Sequence, residues 1–266
     1  MTALLDQECR LSRTADGRFE RTLGRVWWGE GAQHGGYVMA LAMTAVSAAI
    51  DDPLLELQHC TVHYMRPFLD GPFVAEVDVV RRGRTMANVT ARMGTQGKDC
   101  GLLLASVGLR RAVGEFCVAT MPDVAPYDSG EAPWIPWMHV PTFDRVHMYR
   151  RFLEASDPGR LRVGGWVVPR TPEIVDHRYL AFLADLWVPC AYHVWDPRLT
   201  GQSVDITYHA RSVLPRSDLP PGTPLLVVLD TRASAGGFVD EDTEIWTPAG
   251  ELLATTRQMR YVHPPA

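Results

Sequence analysis

Residues 37–50 of the chain read YVMALAMTAVSAAI, the longest uncharged apolar run in the sequence. A membrane-spanning helix needs about 20 apolar residues. This run has 14, so we interpret it as a buried helix rather than as a membrane span. Its apolar residues lie on all sides of the helix axis instead of in one stripe. That pattern favours a helix that a sheet wraps on most of its sides.

Segments with strand character lie on both sides of this helix. Residues 18–28 precede it, and Gly29, Gly31, Gly35 and Gly36 break the chain between the two. Further strand-like segments follow, separated by turn signals, at 57–66, 74–81, 87–94 and 102–110. The order is therefore a strand, a buried helix and several antiparallel strands.

The same order returns in the second half of the chain. The predicted elements there are a strand at 162–169, an apolar helix at 179–190 and strands at 203–211, 225–233, 242–246 and 252–262. Residues 63–66 align with 208–211 at an offset of 145, and 101–106 align with 250–255 at an offset of 149. Two offsets that agree this closely indicate a duplicated α+β unit.

Five prolines between residues 122 and 141 separate the two halves. A proline-rich stretch is typical of a linker or of an extended crossing segment. We therefore predict an N-terminal unit at 1–120, a linker at 121–150 and a C-terminal unit at 151–266.

The overall composition narrows the class of protein. The 266 residues are 46% hydrophobic and 21% charged, which is typical of a globular protein. The net charge of −5 offers no basic patch, so we expect no nucleic-acid partner. The first 13 residues lack the apolar region of a signal peptide. We expect no membrane association.

The cysteines are odd in number and far apart, at Cys9, Cys60, Cys100, Cys117 and Cys190. Without a C-x-x-C motif they favour neither a disulfide framework nor a zinc site, and they predict a reducing cytoplasm. His59 and His63 have no third ligand at a suitable spacing, so no metal site is predicted.

The glycines before the first long helix allow three interpretations. Gly29-x-Gly31-x-x-x-Gly35 is similar to a dinucleotide-binding turn, but such a turn needs parallel βα units around it, and mostly strands follow here. It is otherwise a flexible turn that lets the backbone approach a neighbour. In the third interpretation, the free N–H groups of the helix start hold an anion or a developing oxyanion.

One acidic residue stands out in the second apolar helix. Asp185 is the only ionisable residue between Tyr179 and Cys190, and burying an unpaired carboxylate costs several kcal/mol. It is therefore a candidate functional group, the alternative being a carboxylate that faces solvent or caps a neighbour. Gln258 and Ser203 are weaker candidates, because a polar residue in a strand can simply face water. The sequence contains neither a G-x-S-x-G motif nor a phosphate-binding P-loop motif.

Taken together, these segments resemble the TesB-type acyl-CoA thioesterase II family of double-hotdog proteins. The segments that carry the resemblance, in the family's order, are 34–38 (HGGYV), 63–67 (HYMRP), 81–85 (RRGRT), 184–185 (AD), 203–205 (SVD) and 253–258 (LATTRQ). The chain departs from the family at Ile206, where a His is usual, and at Met259-Arg260, where Glu-Gly is usual.

The resemblance implies an α+β double hotdog, with an antiparallel sheet wrapped around a long apolar helix in each unit. It also implies an acyl-CoA thioesterase of lipid metabolism that needs no cofactor and associates as a homo-oligomer. Carried over by position, the family's catalytic Asp, Ser/Thr and Gln fall on Asp185, Ser203 and Gln258.

Our hypothesis is that Asp185 accepts a proton from water, which Ser203 and Gln258 orient. The predicted oxyanion and substrate-binding residues are Gly35, Gly36 and Tyr37 at the first helix start. Arg66, Arg82 and Arg84 are candidates to meet the phosphates of CoA, with a structural role for each as the alternative.

Two other functions remain open at this point. A double hotdog that binds acyl-CoA without turnover would show saturable binding and no hydrolysis. A hotdog enoyl-CoA hydratase is disfavoured, because its G-D-x-N-P-x-H signature is absent.

Overall fold

The computed structural model describes residues 3–111, 113–152 and 161–263. The helices are α1 Leu4–Glu8, α2 Gly35–Ile50, a 3-10 helix Pro141–Arg145, α3 His177–Ala184 and α4 Cys190–Val194. The strands are β1 Ser12–Ala15, β2 Arg18–Leu23, β3 Glu56–Tyr64, β4 Gly71–Arg82, β5 Met86–Thr95, β6 Lys98–Gly108, β7 Val146–Phe152, β8 Leu161–Pro169, β9 Thr200–Ala210, β10 Leu225–Thr231, β11 Ser234–Ala235, β12 Phe238–Trp246 and β13 Leu252–His263.

Helix α2 is the predicted buried helix. Its side chains from Tyr37 to Met43 are all buried, so the helix lies inside the protein rather than on its surface. It ends at Ile50, and the capping residue Asp51 has a left-handed backbone (φ 48°) and donates its N–H to the carbonyl oxygen of Ser47. Within the described residues, no helix is both long and apolar enough to cross a membrane.

The strands form one continuous antiparallel sheet with a mirrored order. Outward from the centre, the first half runs β3-β6-β5-β4-β2-β1 and the second half runs β9-β13-β12-β10-β8-β7, with β11 paired to β12. Corresponding strands therefore occupy corresponding positions, as the duplication predicts.

Strands β3 and β9 join the two halves. They pair antiparallel, with His59 opposite His209 and Thr61 opposite Thr207. The hydroxyl groups of this threonine pair lie 2.8 Å apart and share a hydrogen bond on the outer face. No edge is left at the centre of the sheet, because each of these strands also pairs on its other side.

The proline-rich segment covers part of the second half. Met121, Val124 and Tyr127 pack against a buried cluster on the outer face of the sheet that includes Trp166 and Trp246. This cover explains why strand β10 is buried on both faces, although an antiparallel sheet commonly has one face in water.

The predicted second helix differs from the observed one. The prediction placed it at 179–190, whereas α3 ends at Ala184 and α4 begins at Cys190. Pro189 accounts for the break, because it has no N–H to donate to the carbonyl oxygen of Asp185 and its ring would clash with that carbonyl in a continuous helix. Asp185 is consequently the residue that caps α3 rather than a residue of a helix.

Other boundaries also differ from the prediction. The predicted linker 121–150 includes a 3-10 helix and the start of strand β7. Ser203 is the fourth residue of β9, which begins at Thr200, and so does not open the strand. Within the predicted units, residues 1–2, 112, 153–160 and 264–266 lie outside the described residues.

Helices α2 and α3 cross at a glycine. A Cβ atom on Gly36 would collide with the carbonyl oxygen of Ala181 and would lie 2.9 Å from that of Phe182. Only a residue without a side chain allows the two helix backbones to approach this closely. The helix at the centre of each half is thus in direct contact with the other.

Separate halves test whether the two units form one folding unit. We expect residues 1–120 and 150–266, expressed alone, not to give stable monomers, because β3 and β9 would become open sheet edges and α2 would lose α3. Light scattering after size-exclusion chromatography and circular dichroism measure this. Two folded, monomeric halves would contradict it.

Gly36→Ala tests the helix crossing. The added methyl group must push the α3 backbone away, so we expect the free energy of unfolding to fall by about 1–3 kcal/mol. Gly24→Ala is the control, because nothing lies within 4 Å of its Cβ position, and its effect should stay within about 0.5 kcal/mol. Urea denaturation compares them. Equal stabilities would show that the crossing tolerates a side chain.

Candidate active site

Asp185 is buried where α3, α2 and β13 meet, and its side chain is 7% exposed. Oδ2 accepts a hydrogen bond from the backbone N–H of Gly36 at 3.2 Å. Oδ1 accepts one from Nε2 of Gln258 at 3.1 Å and another from Nη2 of Arg260 at 3.0 Å. These partners stabilise a carboxylate that would otherwise be costly to bury.

The other two predicted catalytic residues lie beside it. Nε2 of Gln258 also donates to Oγ of Ser203 at 2.6 Å, so both amide hydrogens are used, one for Ser203 and one for Asp185. Gln258 and Ser203 come from the adjacent strands β13 and β9. A shift of register next to Arg260 places Arg260 opposite Ser203. The fold thus brings Asp185, Ser203 and Gln258 into one hydrogen-bonded group.

His34, the residue that caps the N-terminus of α2, also contacts Asp185. Its Nε2 lies 2.8 Å from the backbone oxygen of Asp185 and 3.6 Å from Oδ2 of the same residue. A ring nitrogen that contacts a carbonyl oxygen must carry the hydrogen, so Nε2 is the donor. Burial lowers the pKa of His34, and the imidazole is therefore neutral at neutral pH.

Arg260 connects Asp185 with a second buried carboxylate. Its Nε donates to Oε2 of Glu241 at 3.1 Å, while Nη2 holds Asp185. The side chain of Glu241 is 1% exposed. Burial raises the pKa of Glu241, and the charge of Arg260 opposes that shift.

Asp185 is held in its ionised form. Burial acts to raise its pKa, but the positive charges of His34, when protonated, and of Arg260 act against burial, as do the hydrogen bonds from Gln258 and Gly36. The pKa of Asp185 therefore lies below its ordinary value of 3.8. At neutral pH, where His34 is uncharged, Arg260 supplies the positive charge that faces the carboxylate.

A cavity of about 440 Å³ opens onto this group. Its wall comes from both halves and from the end of the proline-rich segment. The residues lining it include Gly35, Tyr64, Arg66, Phe68, Met138, Phe143, Asp185, Trp187, Tyr192, Ser203 and Arg260. The cavity can hold a ligand that is apolar over part of its length, with the carboxylate of Asp185 at its wall.

The three predicted oxyanion residues, Gly35, Gly36 and Tyr37, have different surroundings in the structure. Gly35 lines the cavity, and a Cβ on it would lie 2.7 Å from Oδ2 of Asp185. Gly36 already gives its N–H to that oxygen. Tyr37 points into the core, where its ring stacks on Trp27 and its hydroxyl group donates to a backbone oxygen. Only Gly35 is therefore placed to meet a ligand.

The three predicted CoA-binding arginines are also in different places. Arg66 lines the cavity and donates to the backbone oxygen of Asp99. Arg82 binds Asp52 and the backbone oxygen of Ile50, away from the cavity. Arg84 is exposed and does not belong to the cavity wall.

Sequence reasoning did not assign a role to His34, Arg260 or Glu241. His34 stood inside a quoted motif, and Arg260 stood out as a departure from the family pattern. Glu241 offered a signal that was not used, since it occupies a buried position in the alternation of β12. In the part of the chain that the structure describes, no group of three or more His, Cys, Asp or Glu residues could hold a metal ion.

Comparison with known families gives two matches that together span most of the chain. Residues 25–110 match the acyl-CoA thioesterase N-terminal domain, and residues 120–262 match the acyl-CoA thioesterase C-terminal domain. A search of curated proteins gave no match.

Several solved structures are similar over nearly the whole chain. A conserved protein of unknown function with a hot dog fold from Alicyclobacillus acidocaldarius is 26% identical, with full coverage of both chains and a TM-score of 0.88. The acyl-CoA thioesterase II TesB2 from Mycobacterium marinum is 17% identical, covers 98% of this chain and 99% of its own, and has a TM-score of 0.80.

The tesB protein of Mycobacterium avium subs paratuberculosis is 19% identical, with 98% of each chain covered and a TM-score of 0.76. These similarities confirm the double hotdog that the sequence motifs imply. The two domain matches show that the chain belongs to the acyl-CoA thioesterase family.

Proposed function

We propose that this chain hydrolyses acyl-CoA thioesters to a free acid and CoA, with Asp185 as the general base. The observation that carries the proposal is the hydrogen-bonded group of Asp185, Gln258 and Ser203, of which Asp185 and Ser203 line the cavity. In the reaction, the water oxygen bonds to the thioester carbonyl carbon, the C–S bond breaks, and the thiolate of CoA takes up a proton.

Asp185 has the charge and the position to accept the proton of that water. It is ionised at neutral pH, and its Oδ2 accepts one hydrogen bond, from Gly36, among the described residues. A carboxylate oxygen has two lone pairs, so Oδ2 keeps one for water. A positioned general base contributes about 10²–10⁴ to a rate.

Ser203 and Gln258 take different parts in this proposal. Because Gln258 uses both amide hydrogens on its two neighbours, we assign it the task of fixing Asp185 and Ser203 relative to each other. Oγ of Ser203 accepts from Gln258, which leaves its own hydrogen to donate to the attacking water. Ser203 thereby orients the water, while Gln258 acts through Ser203 and Asp185.

The start of α2 is the proposed binding place for the thioester oxygen. The N–H of Gly35 lies at the helix N-terminus, where the partial positive charge favours a developing oxyanion. The N–H of Gly36 serves Asp185 instead, so one backbone donor from this turn is assigned to the substrate. A single donor of this kind contributes about 10²–10³ in rate.

Acyl-CoA is the proposed substrate on the basis of the family and the cavity together. The apolar side chains of Phe68, Met138, Phe143 and Trp187 offer a surface for an acyl group. Of the three candidate arginines, Arg66 lines the cavity, so we assign it to the phosphates of CoA. A homo-oligomeric state remains a prediction that sedimentation would check.

Asp185→Asn tests the general base. The amide keeps the shape of the side chain but cannot accept the water proton, so we expect kcat to fall by about 10²–10⁴ for every acyl-CoA that the native protein hydrolyses. Release of free CoA, measured by thiol reaction across acyl lengths, reports the rate.

Asp205→Asn is the matched control for that variant. Asp205 lies on β9 and accepts a hydrogen bond from the backbone N–H of Met259 outside the cavity wall, so its removal should leave kcat nearly unchanged. Wild-type turnover by Asp185→Asn would refute the assignment. Saturable acyl-CoA binding without any hydrolysis by the native protein would favour the binding-protein alternative.

Ser203→Ala tests the orientation of the water. We expect kcat to fall by about tenfold or more, with KM changed much less, because the hydroxyl group acts on water rather than on the acyl chain. Thr207→Ala, on the outer face of the same strand, serves as the control and should retain kcat. A loss confined to KM would instead place Ser203 in substrate binding.

A further inference from the structure

Arg260 and Glu241 form a buried ion pair, and Arg260 also contacts Asp185. The side chains of Arg260, Glu241 and Asp185 are 11%, 1% and 7% exposed. Burying three charges is expensive, and replacing such groups by apolar residues is often neutral or stabilising. Stability alone therefore does not account for this arrangement.

The hydrogen bonds around Asp185 distinguish its two oxygens. Oδ1 receives Gln258 and Arg260, which together occupy both of its lone pairs. Oδ2 receives the N–H of Gly36 and lies on the side of Gly35, in the cavity wall. Without Arg260, Oδ1 would also have a free lone pair, and the carboxylate would have two places to hold water.

Arg260 itself is held in one orientation. Its guanidinium group is planar, and it contacts Asp185 through Nη2 and Glu241 through Nε. Two carboxylates bound to two nitrogen atoms of one rigid group fix both its position and its plane. The backbone of Cys190, at the start of α4, acts together with Arg260 to lower the pKa of Glu241 against the effect of burial.

We propose that Arg260, anchored by Glu241, is a positioning residue of the thioesterase site: it occupies Oδ1 of Asp185 and thereby makes Oδ2 the oxygen that receives the water proton. This inference rests on the proposed function, because it describes how the general base is oriented. It concerns a position where this chain departs from the usual pattern of its family.

The arrangement makes Asp185 a weaker base, since a carboxylate beside a guanidinium group binds a proton less strongly. In return, the base is ionised over a wider pH range and presents one lone pair in one direction. The titratable and charged groups that face Asp185 are His34, Tyr64, Tyr192, Glu241 and Arg260. His34, Tyr64 and Tyr192 are uncharged at neutral pH, so the two residues of the ion pair set the local charge there.

Three variants separate charge, geometry and folding. Arg260→Met combined with Glu241→Gln removes both charges of the pair, so that Glu241 is not left as a buried carboxylate without its cation. Arg260→Lys keeps the positive charge but cannot reach two carboxylates with a rigid fork. Glu241→Gln alone keeps Arg260 and an oxygen acceptor for it but removes the negative charge.

Two measurements are made on each variant. The first is the pH profile of kcat and KM for acyl-CoA hydrolysis. The second is the titration of the ¹³C resonance of the Asp185 carboxyl group, which is assigned by its absence in Asp185→Asn. For the double variant we expect the titration and the acidic limb of kcat to move to higher pH, because Asp185 loses its positive neighbour. At its optimum pH, kcat should fall about 10–100-fold with little change in KM.

The single variants have different expected results. Arg260→Lys should keep the titration near its native position but lower kcat. Glu241→Gln should not move the titration to higher pH, because it removes a negative neighbour rather than a positive one. Arg162→Met, which breaks the half-buried pair with Asp230 on β8 and β10, controls for loss of an ion pair and should leave the pH profile unchanged.

The proposal is overturned if the folded double variant keeps the native titration of Asp185 and the native kcat, or if Arg260→Lys restores full kcat. Failure of the proposed function shows up differently. In that case the native protein releases no CoA from any acyl-CoA, or Asp185→Asn is fully active, whereas the titration still reports whether Arg260 holds the carboxylate.

Discussion

A buried carboxylate is the constraint on which this structure depends. Asp185 sits where α3 ends, and an ion at that depth is tolerated only if other groups supply hydrogen bonds and charge. The partners come from the start of α2 and from β13, and Arg260 in turn draws in Glu241 from β12. One side chain thus fixes the relative position of elements that are far apart in the sequence.

This constraint explains why the two halves share a single site. Gly36 belongs to the first half and Asp185 to the second, and their hydrogen bond crosses the helix contact that requires a glycine. The pairing of β3 with β9 keeps the two sheets in register beneath that contact. Among the described residues, the carboxylate and its strand partners come from the second half, so this group is asymmetric although the fold is duplicated.

Much of the fold could be predicted because short stretches of the sequence are enough to indicate its main helix and its strands. The apolar run at 37–50 and the alternation of the strands are visible over short windows, and the repeat offsets reveal the duplication. The end of α3 was missed because an apolar segment looks the same in a helix and in the turn that follows it. The proline at 189 was the available signal, and it accounts for the break at Asp185.

The site was predictable in part for the same reason. Asp185 is conspicuous as the one charge in an apolar segment, and the family motifs add Ser203 and Gln258. The link between Arg260 and Glu241 spans 19 positions and depends on the pairing of β12 with β13, which no short pattern encodes. Likewise, the use of the Gly36 N–H by Asp185 follows only from the packing of α2 on α3.

The lowered pKa of Asp185 bears on its proposed role as the general base. Placed at the same depth without Arg260 and its other donors, the carboxyl group would have its pKa raised by burial and would be protonated over more of the neutral range. A protonated group cannot take a proton from water. A weaker base that is always ionised then outperforms a stronger one that is often occupied, provided that the water is well placed. In the mechanism that we propose, the fixed geometry around Oδ2 meets that condition, so the hydrogen bonds that lower the proton affinity of Asp185 also place the water that it acts on.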